Sequence, residues 1–182
     1  KLSETAPLGD NHRAMLPTYS ICKISAEVVA RFAAREWQIP TVIARFSVPY
    51  GDNGGWPWFH LMMMNAGTPI PAHPDKPNLF NPIHEDDLIA MLPRLLDVAS
   101  VPATILNWGG SEVVSIEDWC GYLGELTGLT PRFEPTTHTI ESTAIDTTRM
   151  QELIGKPQVP WRDGFRRMVE ALHPDLLEGG AP

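Results

Sequence analysis

Tyr19-Ser20-Ile21-Cys22-Lys23 puts a phenol and an ammonium four residues apart at the head of a helix-forming, apolar stretch. On a helix, residues i and i+4 share a face, so the two side chains meet. An ammonium beside a phenol favours the phenolate and brings a tyrosine's proton chemistry toward working pH. Such a pair suits general acid–base work on a carbinol oxygen, with Tyr19 as proton donor or acceptor and Lys23 as its electrostatic partner. The spacing alone is weak, because a tyrosine packed on a surface helix gives the same pattern.

Other chemistry is poorly provided for. His12, His60, His73, His84, His138 and His173 are scattered without metal-ligand spacing, so no metal site is expected. Cys22 and Cys120 both fall in helical patterns and read as buried thiols of a reducing, cytoplasmic compartment, not as a disulfide framework. A formal net charge of −8 argues against nucleic acid or an anionic membrane surface as partner, since both demand a basic footprint. No apolar run reaches about 18 residues, so no transmembrane helix is expected, and no signal-peptide pattern opens the chain. With 182 residues, 43% of them hydrophobic, the chain can bury a core as one domain or as part of a larger one.

The elements that must position the pair follow from periodicity and punctuation. Residues Lys1 to Arg13 read as a loop and Leu16 to Glu36 as a helix. That helix carries apolar residues on more than one face (Ile21, Ile24, Val28, Val29, Phe32, Ala33), so two sides need cover. Ile39-Pro40 breaks it, and Thr41 to Phe46 reads as a β-branched strand. Ser47 to Pro57 reads as a loop, Trp58 to Ala66 as a short helix, Thr68 to Pro71 as extended, and Asn78 to Ile83 as a short strand or extended entry. His84 to Ala99 is helical with a kink expected at Pro93, and Ala103 to Asn107 is a strand of a parallel sheet. Ser115 and Asp118 form a capping box for a helix to about Thr127, closed by Gly128. Pro131 to Glu134 is a second short strand. Asp146 caps a helix ending at Gly155, Asp163 starts one reaching about Leu172, and residues 173–182 read as frayed.

In order along the chain, the stretch Tyr19 to Gly51, the segment Asn81-Pro82-Ile83-His84-Glu85-Asp86-Asp87-Leu88, the turn Leu106-Asn107-Trp108-Gly109-Gly110 and the segment from Asp146 to Pro157 resemble motifs of one family. Asp163-Gly164-Phe165 occupies the place of its acidic-Gly-Leu helix start. The chain thereby resembles the extended short-chain dehydrogenase/reductase superfamily, which includes NAD-dependent epimerases and dehydratases. The resemblance implies an α/β fold: the C-terminal part of a Rossmann-like parallel sheet with a small α/β substrate-binding cap. The implied division is residues 1–54 as the catalytic helix and strand, 55–80 as a cap segment, 81–127 as a return to the Rossmann-like unit, and 128–182 as cap and C-terminal helices. No Gly-rich turn of the dinucleotide-binding type follows a strand; Gly51 to Gly55 comes after the catalytic-type helix. Lys1 to Leu8 resembles the loop just before the catalytic tyrosine. The expectation is a C-terminal piece of a longer enzyme, inactive and unable to bind dinucleotide by itself.

The resemblance implies NAD or NADP as cofactor, with Tyr19, Lys23, Phe46, Ser47 and Val48 at its nicotinamide end and Arg45 orienting that loop or serving as a structural arginine. It also implies a homodimer through the Leu16 to Glu36 helix. For the small-molecule substrate, the expected contacts are Trp56, Trp58, Met62, Asn81 and His84, although His84, Asp86 and Asp87 are explained equally well as helix-opening residues. Lys76 is the sole basic residue between Phe46 and Pro93, where Trp56, Trp58, Phe59, Met62, Met63 and Met64 cluster. A pyrophosphate wants arginine or lysine. This favours an NAD(P)-dependent oxidoreductase of a small, largely apolar alcohol or carbonyl compound. The alternatives are a sugar-nucleotide epimerase or dehydratase, to which Arg132 and Arg149 could lend a phosphate site, a non-catalytic NAD(P)-sensing relative, and a stand-alone binding module.

Overall fold

The computed structural model of this chain describes residues 1–177. A loop leads into α1 (Tyr19–Glu36), then β1 (Val42–Phe46), β2 (Val48–Gly51), β3 (Gly54–Gly55), α2 (Trp56–Asn65), β4 (Ile70–Ala72), β5 (Leu79–Phe80) and β6 (Pro82–His84). There follow α3 (Glu85–Asp97), β7 (Thr104–Trp108), β8 (Val114–Ser115), α4 (Ile116–Thr127), β9 (Phe133–Pro135), α5 (Thr148–Ile154), α6 (Trp161–Leu172) and a 3-10 turn at Pro174–Leu176. The architecture is mixed α/β, with the parallel strands expected of part of a Rossmann-like unit. β1 pairs in parallel with β7, Val42 opposite Thr104 and Phe46 opposite Trp108. β2 pairs in parallel with β6 and antiparallel with β3. β4 and β9 form a separate parallel pair, and β5 pairs antiparallel with β8.

Two apolar cores hold these layers together. The larger joins α2, α4 and α6 around Leu61, Trp119, Leu123, Phe165 and Met168, all buried. The smaller packs α3 and α5 on β7 through Met91, Leu95, Leu106, Met150 and Ile154. Residues 55–80 therefore share one core with the helices at 116–127 and 161–172.

Local chemistry explains most element ends. The Ser115 Oγ accepts from the Asp118 amide at 2.9 Å, and Gly128 closes α4 at φ 70°. His84 caps α3, its Nδ1 accepting from the Asp86 amide at 3.1 Å. α1 stops at Trp37 because Gln38 turns left-handed at φ 53° and Pro40 follows.

Several expectations are corrected. The 47–57 loop contains β2 and β3, a hairpin in which glycine at Gly54 (φ 105°) and Gly55 (φ 120°) permits the turn. α2 begins at Trp56 because Pro57 fits the first helical turn. α6 begins at Trp161, ahead of Asp163. Cys22 is exposed, not buried, because it lies on an uncovered face of α1; Cys120 is buried. Only Ser20 and Ala34 of α1 are buried, while Ile21, Val28, Val29 and Phe32 are 56–63% exposed. Of the tail read as frayed, Pro174–Leu176 forms the 3-10 turn, and Leu176 and Leu177 pack on the larger core; residues 178–182 lie outside the described residues.

Candidate active site

Tyr19 is the first residue of α1, and Lys23 lies one turn on, its Nζ 5.4 Å from the centre of the phenol ring. Both line a cleft of about 780 Å³. Phe46, Ser47 and Val48 line the same cleft from the β1–β2 junction. The structure therefore brings together the whole expected nicotinamide-end set: Tyr19, Lys23, Phe46, Ser47 and Val48.

The supports of this wall are specific. Arg45 forks onto Glu27 of α1, with Nε–Oε2 at 3.0 Å and Nη2–Oε1 at 2.6 Å, and its Nη1 donates to the Glu4 carbonyl at 2.8 Å. It thus ties β1 both to the helix carrying Tyr19 and to the N-terminal loop. Phe46 stacks on Trp108, ring centres 5.1 Å apart. The Ser47 Oγ accepts from the Asn81 amide at 3.0 Å.

Of the expected substrate contacts, Trp56 lines the cleft, but Trp58, Met62, Asn81 and His84 do not. Trp58 and Met62 pack against the larger core. Asn81 is a buried strut: its Nδ2 donates to the Gly110 carbonyl at 3.1 Å and its Oδ1 accepts from the Ile145 amide at 2.9 Å. His84 is buried beneath Tyr50, with its Nε2 3.9 Å from Asp52 Oδ1. Asp87 accepts from the amides of Gln158 (2.7 Å) and Val159 (3.0 Å), so it fastens the C-terminal segment to α3. Arg149 donates to the Ile105 carbonyl at 3.1 Å, and neither it nor Arg132 lines the cleft.

Burial sets the protonation of the groups behind the wall. Trp56 packs on His60, and His60 accepts at Nδ1 from the Trp119 indole N–H at 2.9 Å. Burial lowers the His60 pKa to about 4, so the ring is neutral. Burial, with Asp87 and Glu112 nearby, raises the Tyr50 pKa and keeps its hydroxyl a neutral donor to the Trp161 carbonyl. Burial likewise raises the Cys120 thiol.

The cleft's opposite wall was not visible in local sequence pattern. The segment Ile140 to Thr143, with Ile145, faces Leu8, Gly9, Asn11 and His12. Asn11 clasps it: Nδ2 donates to Thr143 Oγ1 (2.8 Å) and to the Glu141 carbonyl (3.2 Å), and Oδ1 accepts from the Glu141 amide (3.0 Å). Leu2 bridges to Ile145 alongside. These residues lie about 130 positions apart in sequence, and no periodicity or short motif links them.

No helix among the described residues is long and apolar enough to cross a membrane. None of their His, Cys, Asp and Glu side chains group in threes to hold a metal ion.

No protein-family model matches the sequence, and neither does any curated protein. Solved structures do match. UDP-glucose 4-epimerase of Thermotoga maritima, solved with UDP-glucose, aligns at TM-score 0.72 and 21% identity over 87% of this chain and 54% of its own. UDP-glucuronic acid 4-epimerase of Bacillus cereus, in a mutant form with a fluorinated substrate and NAD, gives 0.73 and 20% over 93% of this chain and 55% of its own. dTDP-glucose 4,6-dehydratase of Bacillus anthracis, in complex with NAD, gives 0.77 and 20% over 96% of this chain and 56% of its own. The chain spans about half the length of these structures, and over that half it has the Rossmann-like fold of the NAD-dependent epimerases and dehydratases.

Proposed function

We propose that this chain is the C-terminal part of an NAD-dependent epimerase or dehydratase of nucleoside-diphosphate sugars, with Tyr19 and Lys23 as its acid–base pair. The observation that carries the reading is the convergence of Tyr19, Lys23, Phe46, Ser47 and Val48 on one cleft of about 780 Å³. The substrate class rests on the fold neighbours, whose names state sugar nucleotides.

The residues present fit one end of the cofactor. Lys23 and Tyr19 offer donors for a ribose beside a flat, partly apolar wall. A pyrophosphate needs a turn of free amides. In the Gly51–Gly55 hairpin the Asp52 amide already donates to Glu85, and Gly54 and Gly55 are paired with Gly51 and Tyr50 of β2. Bound nicotinamide would supply hydride exchange with a substrate carbon. Tyr19 Oη holds or releases the proton of the carbinol oxygen on that carbon. Lys23 is the electrostatic partner of that phenol, and Arg45 keeps α1 and β1 in register.

A second reading, a small and largely apolar alcohol or carbonyl substrate, is favoured by the cleft lining. Leu2, Pro7, Leu8, Trp56, Phe80 and Ile140 dominate it, and its one arginine, Arg45, is committed to Glu27 and Glu4. The exposed apolar face of α1 (Ile21, Val28, Val29, Phe32) supports a homodimer through that helix.

The test uses the protein that carries this chain. Native mass spectrometry reads subunit number and bound dinucleotide, and proton NMR follows UDP-glucose and dTDP-glucose during incubation. Conversion that falls about 10²- to 10⁴-fold in Y19F, with dinucleotide still bound, supports the reading. Turnover of small apolar alcohols alone supports the second reading. Full activity in Y19F removes Tyr19 from the mechanism and fits a sensor.

A further inference from the structure

His12 is the other titratable side chain in contact with Tyr19. Its ring centre lies 4.6 Å from that of the phenol, at an interplanar angle of 43°. The ring lines the cleft together with Tyr19 and Lys23. Its placement is fixed at both ends. The His12 carbonyl accepts from the amides of Met15 (3.0 Å) and Leu16 (2.7 Å), closing the turn that leads into α1. On the side-chain end, Nδ1 sits 3.4 Å from the buried Ser20 Oγ, which also accepts from the His12 amide. The neighbouring Asn11 is the clasp to Glu141, so the imidazole stands where the two cleft walls meet.

A phenol 42% exposed at the first position of a helix has little else to hold it. Lys23 approaches the ring from one turn along the helix, and His12 touches it from the loop. We infer that His12 is a positioning residue for Tyr19: pinned by Ser20, its imidazole orients the phenol at the cleft and sets a second, switchable charge beside it. Protonated, the imidazole sets a second positive charge beside the phenol, next to that of Lys23; neutral, it leaves Lys23 alone there. The charged and titratable groups around it are Asp10 and Arg13 on its own loop, Tyr19 and Lys23 on α1, and Glu141 on the facing segment. Burial holds the His12 pKa below the ordinary histidine value despite the opposing pull of Asp10. The charge therefore appears only below the ordinary histidine range. The functional meaning rests on the acid–base role proposed above for Tyr19.

The experiment is an NMR titration of the protein that carries this chain, with ring-labelled tyrosine and histidine, Y19F assigning the Tyr19 signals. The expected result is a step in the Tyr19 ring shifts at the midpoint of His12, below the ordinary histidine value. H12F keeps a flat ring against the phenol and abolishes that step. H12A abolishes it and also averages the Tyr19 ring signals. Tyr19 shifts that stay flat through the His12 midpoint in the unmodified chain overturn the inference, whatever the variants do. The same result in H12F as in the unmodified chain also overturns it. Failure of the functional reading shows separately, as a Tyr19 step present in a protein whose turnover is indifferent to Y19F.

Discussion

Acidification should weaken this fold, and one separable part of the loss lies in a single side chain, His60. It is 3% exposed, packed against Trp56 and Trp119. The Trp119 indole can only donate, so the 2.9 Å contact requires an unprotonated Nδ1. Burial places the folded-state pKa at about 4 against 6.5 in the unfolded chain. Because the folded value is the lower one, the unfolded state takes up the proton first. Stability contributed by the neutral ring is present above pH 6.5 and is lost as pH falls from 6.5 toward 4. The difference between the two values corresponds to about 3 kcal/mol in full, of which about 2 kcal/mol is lost by pH 5. The perturbation is H60Q, which keeps an acceptor for Trp119 but does not titrate. Urea unfolding of both proteins at pH 7 and pH 5, followed by tryptophan fluorescence, gives the difference directly, because the carboxylates common to both cancel. Unmodified protein should lose about 2 kcal/mol more than H60Q over this interval. Equal losses would refute the argument that His60 is kept neutral by the fold.

Other consequences follow from single contacts. D87A strands the amides of Gln158 and Val159 and should cost about 1–3 kcal/mol, read as a lowered thermal midpoint, with D87N losing less because its amide oxygen still accepts. R45K removes the fork onto Glu27 and the bond to the Glu4 carbonyl. It should speed amide exchange in α1 and in the 1–8 loop while leaving α4 and α6 unchanged. G164A drives a Cβ into the Tyr50 hydroxyl and to 2.9 Å from the His84 ring, and should cost about 1–3 kcal/mol by chemical denaturation. N11A releases the segment around Glu141 and should raise its protease sensitivity, with β7 and α5 unaffected.

Much of this protein could be read from its residues alone, for reasons that are local. A Tyr and a Lys at i and i+4 must share a face, so Tyr19 and Lys23 meet wherever α1 forms. Ser115 with Asp118, and Gly128, mark the ends of α4 through hydrogen bonds and a positive φ that need no distant partner. β-branched runs bounded by proline and glycine marked β1 and β7. What failed depended on contacts between remote segments. Asn81 and His84 carry polar groups suited to a ligand, yet packing places them among Ser47, Gly110, Ile145 and Tyr50, where they act as struts. Cys22 and the apolar side chains of α1 read as buried because the helix pattern shows which faces want cover, not whether this chain supplies it. The second wall of the cleft, from Asn11 and His12 to Glu141 and Thr143, exists only in the tertiary structure, because hydrogen bonds across about 130 residues leave no period and no motif in the chain that makes them.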